Sequence, residues 1–500
     1  MRTIMKAIGV LMILSSTLAN AQSDEDALRY SMQTFGGTAR YMGLSGAFGA
    51  LGADFSSLSS NPAGIGLYRS SEFSITPALT DITTQSNYLG NSSKGSTLPF
   101  NISSFGFVFS NDLTKHGDNG WKRFNIGFGM NRLNDYNKET YFTGYNPDNS
   151  LSDYYVEQAN QNGGVNPSQI TATYPYGAGL FYQGYIIDPS PQDSTQYVSK
   201  IQGGDVQQTG TIDESGSQSE YVISFGANYD DHLLLGATMG LPSLHYHSDY
   251  TFTENDVNDV HDNFQNYTLY NHVTTNGFGI NGKFGATYIF NNFFRAGIAV
   301  HTPTLYTMHD DYYSSISSVI GPGQSYNYNQ IPGSYNYDLV TPFRLIGSVA
   351  GYFQKSGFID VDYELVDYNS MKFKFNKAAT PDELVIESQL NQSIKQKYRA
   401  ASTVRLGGEY AADMFRLRLG AAYYQSPFEN GEANGNNDFT RWSFSGGIGV
   451  RETHFYADFA YVRTISNEFY QPYTLSDQSV PGDAIKRGTN NFVLTLGTRF

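Results

Sequence analysis

The chain has 500 residues, a formal net charge of −15, no cysteine and 51 glycines, and only 15% of its residues are charged. An acidic balance without a basic stripe excludes nucleic-acid binding, because nothing is present to replace the counterions on phosphates. The lack of cysteine excludes disulfides and thiolate metal sites, and 39 tyrosines among plentiful β-branched residues exclude a disordered chain.

The first element is a targeting segment. Arg2 and Lys6 form a positive start, residues 7–18 an apolar stretch, and Ala19-Asn20-Ala21 a small-x-small cleavage site. The apolar stretch is too short to span a bilayer, so residues 1–21 read as a signal peptide. No later stretch offers the roughly 18 consecutive apolar residues of a membrane helix. An exported chain of this kind is either soluble or a β-barrel.

Residues 22–70 do not alternate. Gly36-Gly37, Gly43, Gly46, Gly49, Gly52, Gly64 and Gly66 interrupt short apolar stretches, which suits a compact segment that approaches other backbone closely. A barrel begins directly afterwards, so the segment is expected to act as a hatch in the periplasmic mouth or the lumen.

From about residue 71 to 500 the pattern is strict alternation, the period of strands with two unlike faces. Phe124, Ile126, Phe128 and Met130 alternate with Asn125, Gly127, Gly129 and Asn131; Trp442, Phe444 and Ile448 alternate with Arg441, Ser443 and Gly449. Runs near 72–79, 100–110, 121–131, 220–229, 232–241, 276–290, 293–302, 342–353, 358–368, 401–410, 415–425, 441–451, 454–464 and 491–500 make fourteen strands. Tight turns at Asp230-Asp231, Asn291-Asn292, 354–357, 411–413 and Glu452-Thr453 take turns with long polar stretches at 132–219, 242–275, 303–341, 369–400, 426–440 and 465–490. Short periplasmic turns and long extracellular loops are the signature of an outer-membrane barrel. The last strand alternates Phe492, Leu494 and Leu496 with Val493, Thr495 and Gly497 and closes on Phe500. The expected fold is all-β: a 14-stranded antiparallel transmembrane barrel with a short N-terminal hatch in its lumen.

The hatch residues carry a resemblance. Gly37-Thr38-Ala39-Arg40, Gly46-Ala47-Phe48-Gly49-Ala50, Asp54 and Asn61-Pro62-Ala63-Gly64 resemble the hatch of the FadL/OmpP1/TodX family of outer-membrane transporters. The resemblance implies a cell outer-membrane location and passive transport of hydrophobic molecules, either long-chain fatty acids or aromatic hydrocarbons, with lateral exit through the wall at a kinked third strand. On this reading Asn61, Pro62 and Ala63 seat and gate the hatch. They equally make a simple turn, since Pro62 fixes its own φ and keeps Asn61 extended. Gly127 and Gly129 in the third run are candidates for the lateral exit, or for close packing against the hatch.

Charged residues share the polar parity of the strands, among them Arg344, Asp360, Asp362, Glu364, Glu409 and Asp458. On the lipid face a mid-membrane cation costs roughly 2–4 kcal/mol, so they belong in the lumen. Arg405, Arg416, Arg418 and Arg441 are the candidate contacts for a carboxylate head; the alternative is a structural lattice of arginines and carboxylates. His245-Tyr246-His247, placed in a loop, raises a haem receptor as another reading, and a barrel scaffold for a secretion or assembly partner is a third. No hydrolase, zincin or phosphate-loop motif is present, so no enzyme, cofactor or metal is expected. The expected partners are the outer-membrane bilayer and a hydrophobic cargo, with no protein partner identifiable.

Overall fold

The computed structural model describes residues 22–116, 120–354, 356–376, 379–429 and 439–500; the signal peptide expected at 1–21 lies outside the described residues. The chain forms a closed 14-strand antiparallel barrel. In order the wall comprises β1 (Glu72–Tyr88), β2 in two pieces (Asn91–Thr97 and Phe100–Asp112), β3 (Trp121–Asp135, continued by Lys138–Asn146), β4 (Val206–Tyr229), β5 (Leu233–Asn255) and β6 (Asn266–Ile289). There follow β7 (Phe294–His301 and Leu305–Gly321), β8 (Gly333–Val340 and Arg344–Tyr352), β9 (Gly357–Asp367 and Lys372–Phe375), β10 (Ala400–Ala412), β11 (Phe415–Tyr424), β12 (Arg441–Arg451), β13 (Phe455–Tyr470) and β14 (Asp483–Arg499). β14 pairs back onto β1, with Ile75 opposite Leu496 and Glu72 opposite Arg499. Among the described residues every strand is paired on both sides through the lipid band, the condition for a sheet in lipid.

Burial is inverted relative to a water-soluble protein. Phe128, Phe225, Phe284, Ile298, Leu406, Leu419, Phe444 and Ile448 are exposed on the outside, whereas Asp360, Arg418 and Asp458 are buried within. So continuous an apolar band is a lipid-facing surface. The periplasmic turns are tight as expected. Asp230 and Asp231 both have positive φ (52° and 55°), which matches the two-residue hairpin geometry that follows the twist of the strands.

Strand extents depart from the sequence reading. β4, β5 and β6 have 24, 23 and 24 residues and run far past the apolar alternation, through stretches read as polar loops. Above the membrane both faces meet water or polar loops, so the apolar signal ends while the backbone ladder continues. The stretch 132–219 likewise holds the upper part of β3 and three helices, α3 (Leu151–Asn160), α4 (Ile170–Thr173) and α5 (Ala178–Gln183). These helices fill the extracellular mouth. Leu151, Phe181 and Ile186 share an apolar core there with Tyr88, Phe142, Phe252, Tyr267, Ile316 and Tyr473 of the wall and of a neighbouring loop.

Candidate ligand cavity and hatch

Residues 22–70 lie inside the barrel as short helices and turns: α1 (Asp24–Ser31), α2 (Ala39–Met42) and two 3-10 turns, Phe55–Ser59 and Pro62–Leu67. Asn61 caps the second of these turns. Its Oδ1 accepts from Ala63 N at 3.1 Å, and its Nδ2 donates to Gly49 O at 2.6 Å and to Thr287 Oγ1 at 3.2 Å. The wall facing this turn is made of glycine. A Cβ at Gly236 would lie 2.1 Å from Pro62 O, one at Gly285 2.0 Å from Asn61 Oδ1, and one at Gly297 2.5 Å from Gly49 O. The Asn61-Pro62-Ala63 turn therefore rests on bare backbone of β5, β6 and β7. Sequence reading missed these wall glycines; their lumen-facing parity was the available signal.

Gly127 and Gly129 belong to the same contact. Both sit within paired ladders on either side, Gly127 opposite Val108 and Ser224, Gly129 opposite Gly106 and Val222. A Cβ on Gly127 would meet Leu58 at 2.7 Å, and one on Gly129 would meet Phe55 at 2.6 Å. The structure places them against the hatch, where β2 and β3 are joined.

The predicted lumen charges form two clusters beside the hatch. Glu364 accepts from Arg344 at 2.7 Å and from Arg405 at 2.5 Å. Arg418 bridges Glu409 and Asp458, each at 2.6 Å, and Arg40 of the hatch adds a contact to Glu409 at 3.5 Å. Asp362 accepts from the backbone N–H groups of Phe48 and Gly49. Arg405 and Arg418 are thereby consumed as structural cations. Arg416 donates to carbonyls of the periplasmic turn, Asp413 O and Phe415 O. Of the four candidate head-group contacts, Arg441 is the one that lines the lumen cavity above the hatch.

That cavity has a volume of about 660 Å³. Its apolar lining includes Leu28, Met32, Phe35, Met42, Ile82, Ile212, Phe428 and Phe439. Its charged lining has six cations, Arg29, Arg132, Lys138, Lys397, Arg441 and Arg487, against four acids, Glu25, Asp135, Glu214 and Glu468. The lining is therefore cationic on its surface, while Arg29 and Lys397 pair with Asp26 and Asp24 just behind it. Lys138 is satisfied by Glu214 at 2.6 Å and Glu468 at 3.0 Å, while Arg441 lies over the Tyr424 ring, 4.4 Å from its centroid. Enclosure within the barrel raises the Glu25 carboxyl above its ordinary value, with the Arg29 charge pulling the other way. Arg132 and Lys138 escaped notice because they lie in a stretch read as loop.

The cavity reaches a break in the wall. The β2–β3 ladder runs from Asp112 opposite Arg123 up to Ser104 opposite Asn131, and stops there. Pro99, which has no N–H to donate, falls between the two pieces of β2, and β3 shifts register between Arg132 and Asn134. The upper part of β3 then leans inward. Thr84 Oγ1 of β1 donates to Glu139 O at 2.6 Å, Lys138 reaches Glu468 across the lumen, and Phe142 meets Tyr88 at 5.0 Å. Asn101 and Ser103 of β2 and Arg132, Asn134 and Asp135 of β3, the residues flanking the break, all line the cavity.

His245, Tyr246 and His247 are in strand β5, not in a loop. Tyr246 lines the cavity, and strand alternation turns both histidines to the outside, so the three cannot share one iron.

No family model matches the chain, and no curated protein matches it. Solved structures do. A FadL homologue from Pseudomonas aeruginosa has a TM-score of 0.56 at 13% identity, covering 94% of this chain and 100% of its own. The P. putida toluene transporter TodX gives 0.51 at 12%, with 93% and 99% covered. The Ralstonia pickettii toluene transporter TbuX gives 0.50 at 16%, with 94% and 100% covered. At such identities the likeness is one of fold. The chain is a transmembrane β-barrel with the fold of the FadL homologue and of the two toluene transporters.

Proposed function

We propose that the protein carries hydrophobic molecules with an anionic head, such as long-chain fatty acids, passively across the outer membrane. The observation that carries this reading is one cavity that joins an apolar lining, a cationic wall and the stretch where the β2–β3 ladder is unpaired. The tail packs on Met32, Phe35, Phe428 and Phe439, and the head is held at Arg441. Leaving into water would return every CH₂ to solvent at about 0.8 kcal/mol each, so cargo leaves sideways into the bilayer. The break between Asn101 and Asp135 is the exit, above the paired Gly127 and Gly129. The Asn61-Pro62-Ala63 turn seats the hatch that forms the floor and lets it shift.

The test is binding to the detergent-solubilised barrel. A fluorescent long-chain carboxylate should bind saturably, and Arg441→Gln should weaken it about tenfold or more, the scale of losing one hydrogen bond to a charged group. The matching alcohol should bind independently of Arg441. Equal loss for both probes would remove the head-group role, and absence of binding would remove the cavity as a cargo site.

A further inference from the structure

The two outward histidines of β5 and β6 stand in a built cluster above the lipid band. On β6 the exposed apolar residues Tyr288, Phe284, Ile280 and Phe278 give way to polar ones, and His272 lies further toward the extracellular end. It is directly opposite Asp249 of β5, and His247 is opposite Thr274, so all four side chains share the outer face. His247 Nε2 is 2.8 Å from Asp249 Oδ2, and His272 Nδ1 is 2.9 Å from Asp249 Oδ1. One ligand atom from each of the three residues lies within 4.8 Å of the others. The side chains are 31%, 32% and 21% exposed for His247, Asp249 and His272.

We infer that His247, Asp249 and His272 bind a divalent transition-metal ion of the zinc class, with water completing the coordination. The hydrogen-bond inventory favours it. The other ring nitrogens, His247 Nδ1 and His272 Nε2, both face Thr274 Oγ1 at 3.2 Å. With a metal on Nε2 of His247 and Nδ1 of His272, each neutral ring carries its proton on the far nitrogen, and one hydroxyl oxygen with two lone pairs accepts both. Without a metal, two neutral rings donating to Asp249 leave two acceptor nitrogens facing one hydroxyl proton. The surroundings are already arranged. Tyr270 donates to Asp249 Oδ1, and the Tyr313 ring stacks on His272 at 4.9 Å.

Charge around the cluster points the same way. Asp249 is directly opposite Asp213 of β4, which is opposite Glu139 of β3, and Asp311 of β7 is opposite Thr274. Like charges placed opposite each other across strands repel, and a bound cation relieves that repulsion. Imidazole with carboxylate suits zinc, and three protein ligands with an open position is a common zinc geometry. This site is separate from the lumen and stands or falls apart from the transport reading.

The experiment uses the full barrel in detergent, stripped with chelator and purified without a histidine tag. Zinc chloride alone should bind at one ion per barrel by titration calorimetry. Cobalt should give the visible absorption of a low-coordinate nitrogen–oxygen site. His272→Ala should abolish binding, and Thr274→Val, which keeps all three ligands, should weaken it about 10–100-fold. His245→Ala should change nothing, and all variants should keep heat-modifiable migration. Absent or multi-site binding, binding indifferent to His272→Ala or Thr274→Val, or equal loss on His245→Ala would each overturn the site.

Discussion

Glu364 shows how the charges in this lumen are used. Two guanidinium groups converge on one buried carboxylate, and removing one partner of a buried ion pair typically costs about 3–5 kcal/mol because the remainder is left uncompensated. Glu364→Ala should therefore lower the temperature at which the barrel loses its compact form on electrophoresis, while Arg416→Ala at the periplasmic turn should barely move it. Asn61 acts on the hatch instead. Asn61→Ala loses two donor contacts; uptake of a fluorescent fatty acid should change while barrel heat-modifiability stays. Unchanged uptake would leave the residue a simple cap. Glu25 gives a pH dependence: its raised pKa means that it takes up a proton at higher pH than a free glutamate, removing one negative charge from the cavity lining. A permanently anionic alkyl sulfate should bind more tightly as pH falls through the range just above the ordinary glutamate value, with a neutral alcohol unaffected; Glu25→Gln should bind tightly throughout. A flat profile for the sulfate would contradict this.

Among the elements, the wall and the hatch are matched surfaces of small residues. Gly285→Ala would put a methyl 2.0 Å from Asn61 Oδ1, whereas Gly347 has nothing within 4 Å of its added Cβ. Gly285→Ala should loosen the hatch and raise its susceptibility to protease in detergent; Gly347→Ala should not. Equal behaviour of the two would refute the close seating. The alternation of Phe124, Ile126 and Phe128 exposed the third strand because one face meets lipid. The same strand beyond Asn131 was invisible, because its upper part leans into the lumen and neither face keeps the apolar period. Arg405 and Arg418 were placed in the lumen by parity alone, but parity does not say which cation finds a carboxylate; that depends on Glu364, Glu409 and Asp458 on neighbouring strands. Gly127 and Gly129 were legible as close contacts, and the neighbour they approach is the hatch.

In the whole molecule three levels stack: helices α3 to α5 fill the extracellular mouth, the cavity lies beneath them, and the hatch is its floor. On the proposed reading, cargo that cannot pass the hatch leaves through the wall above Ser104 and Asn131. The chain has no native cysteine, so that route can be closed by one engineered bond. Asn101 Nδ2 and Asp135 Oδ2 face each other across the break at 3.5 Å. In the Asn101→Cys/Asp135→Cys double variant, oxidation should reduce uptake of a fluorescent fatty acid to background, ligand should still bind the solubilised barrel, and reductant should restore transport. An oxidised variant that transports as fast as the reduced one would contradict lateral exit at this break.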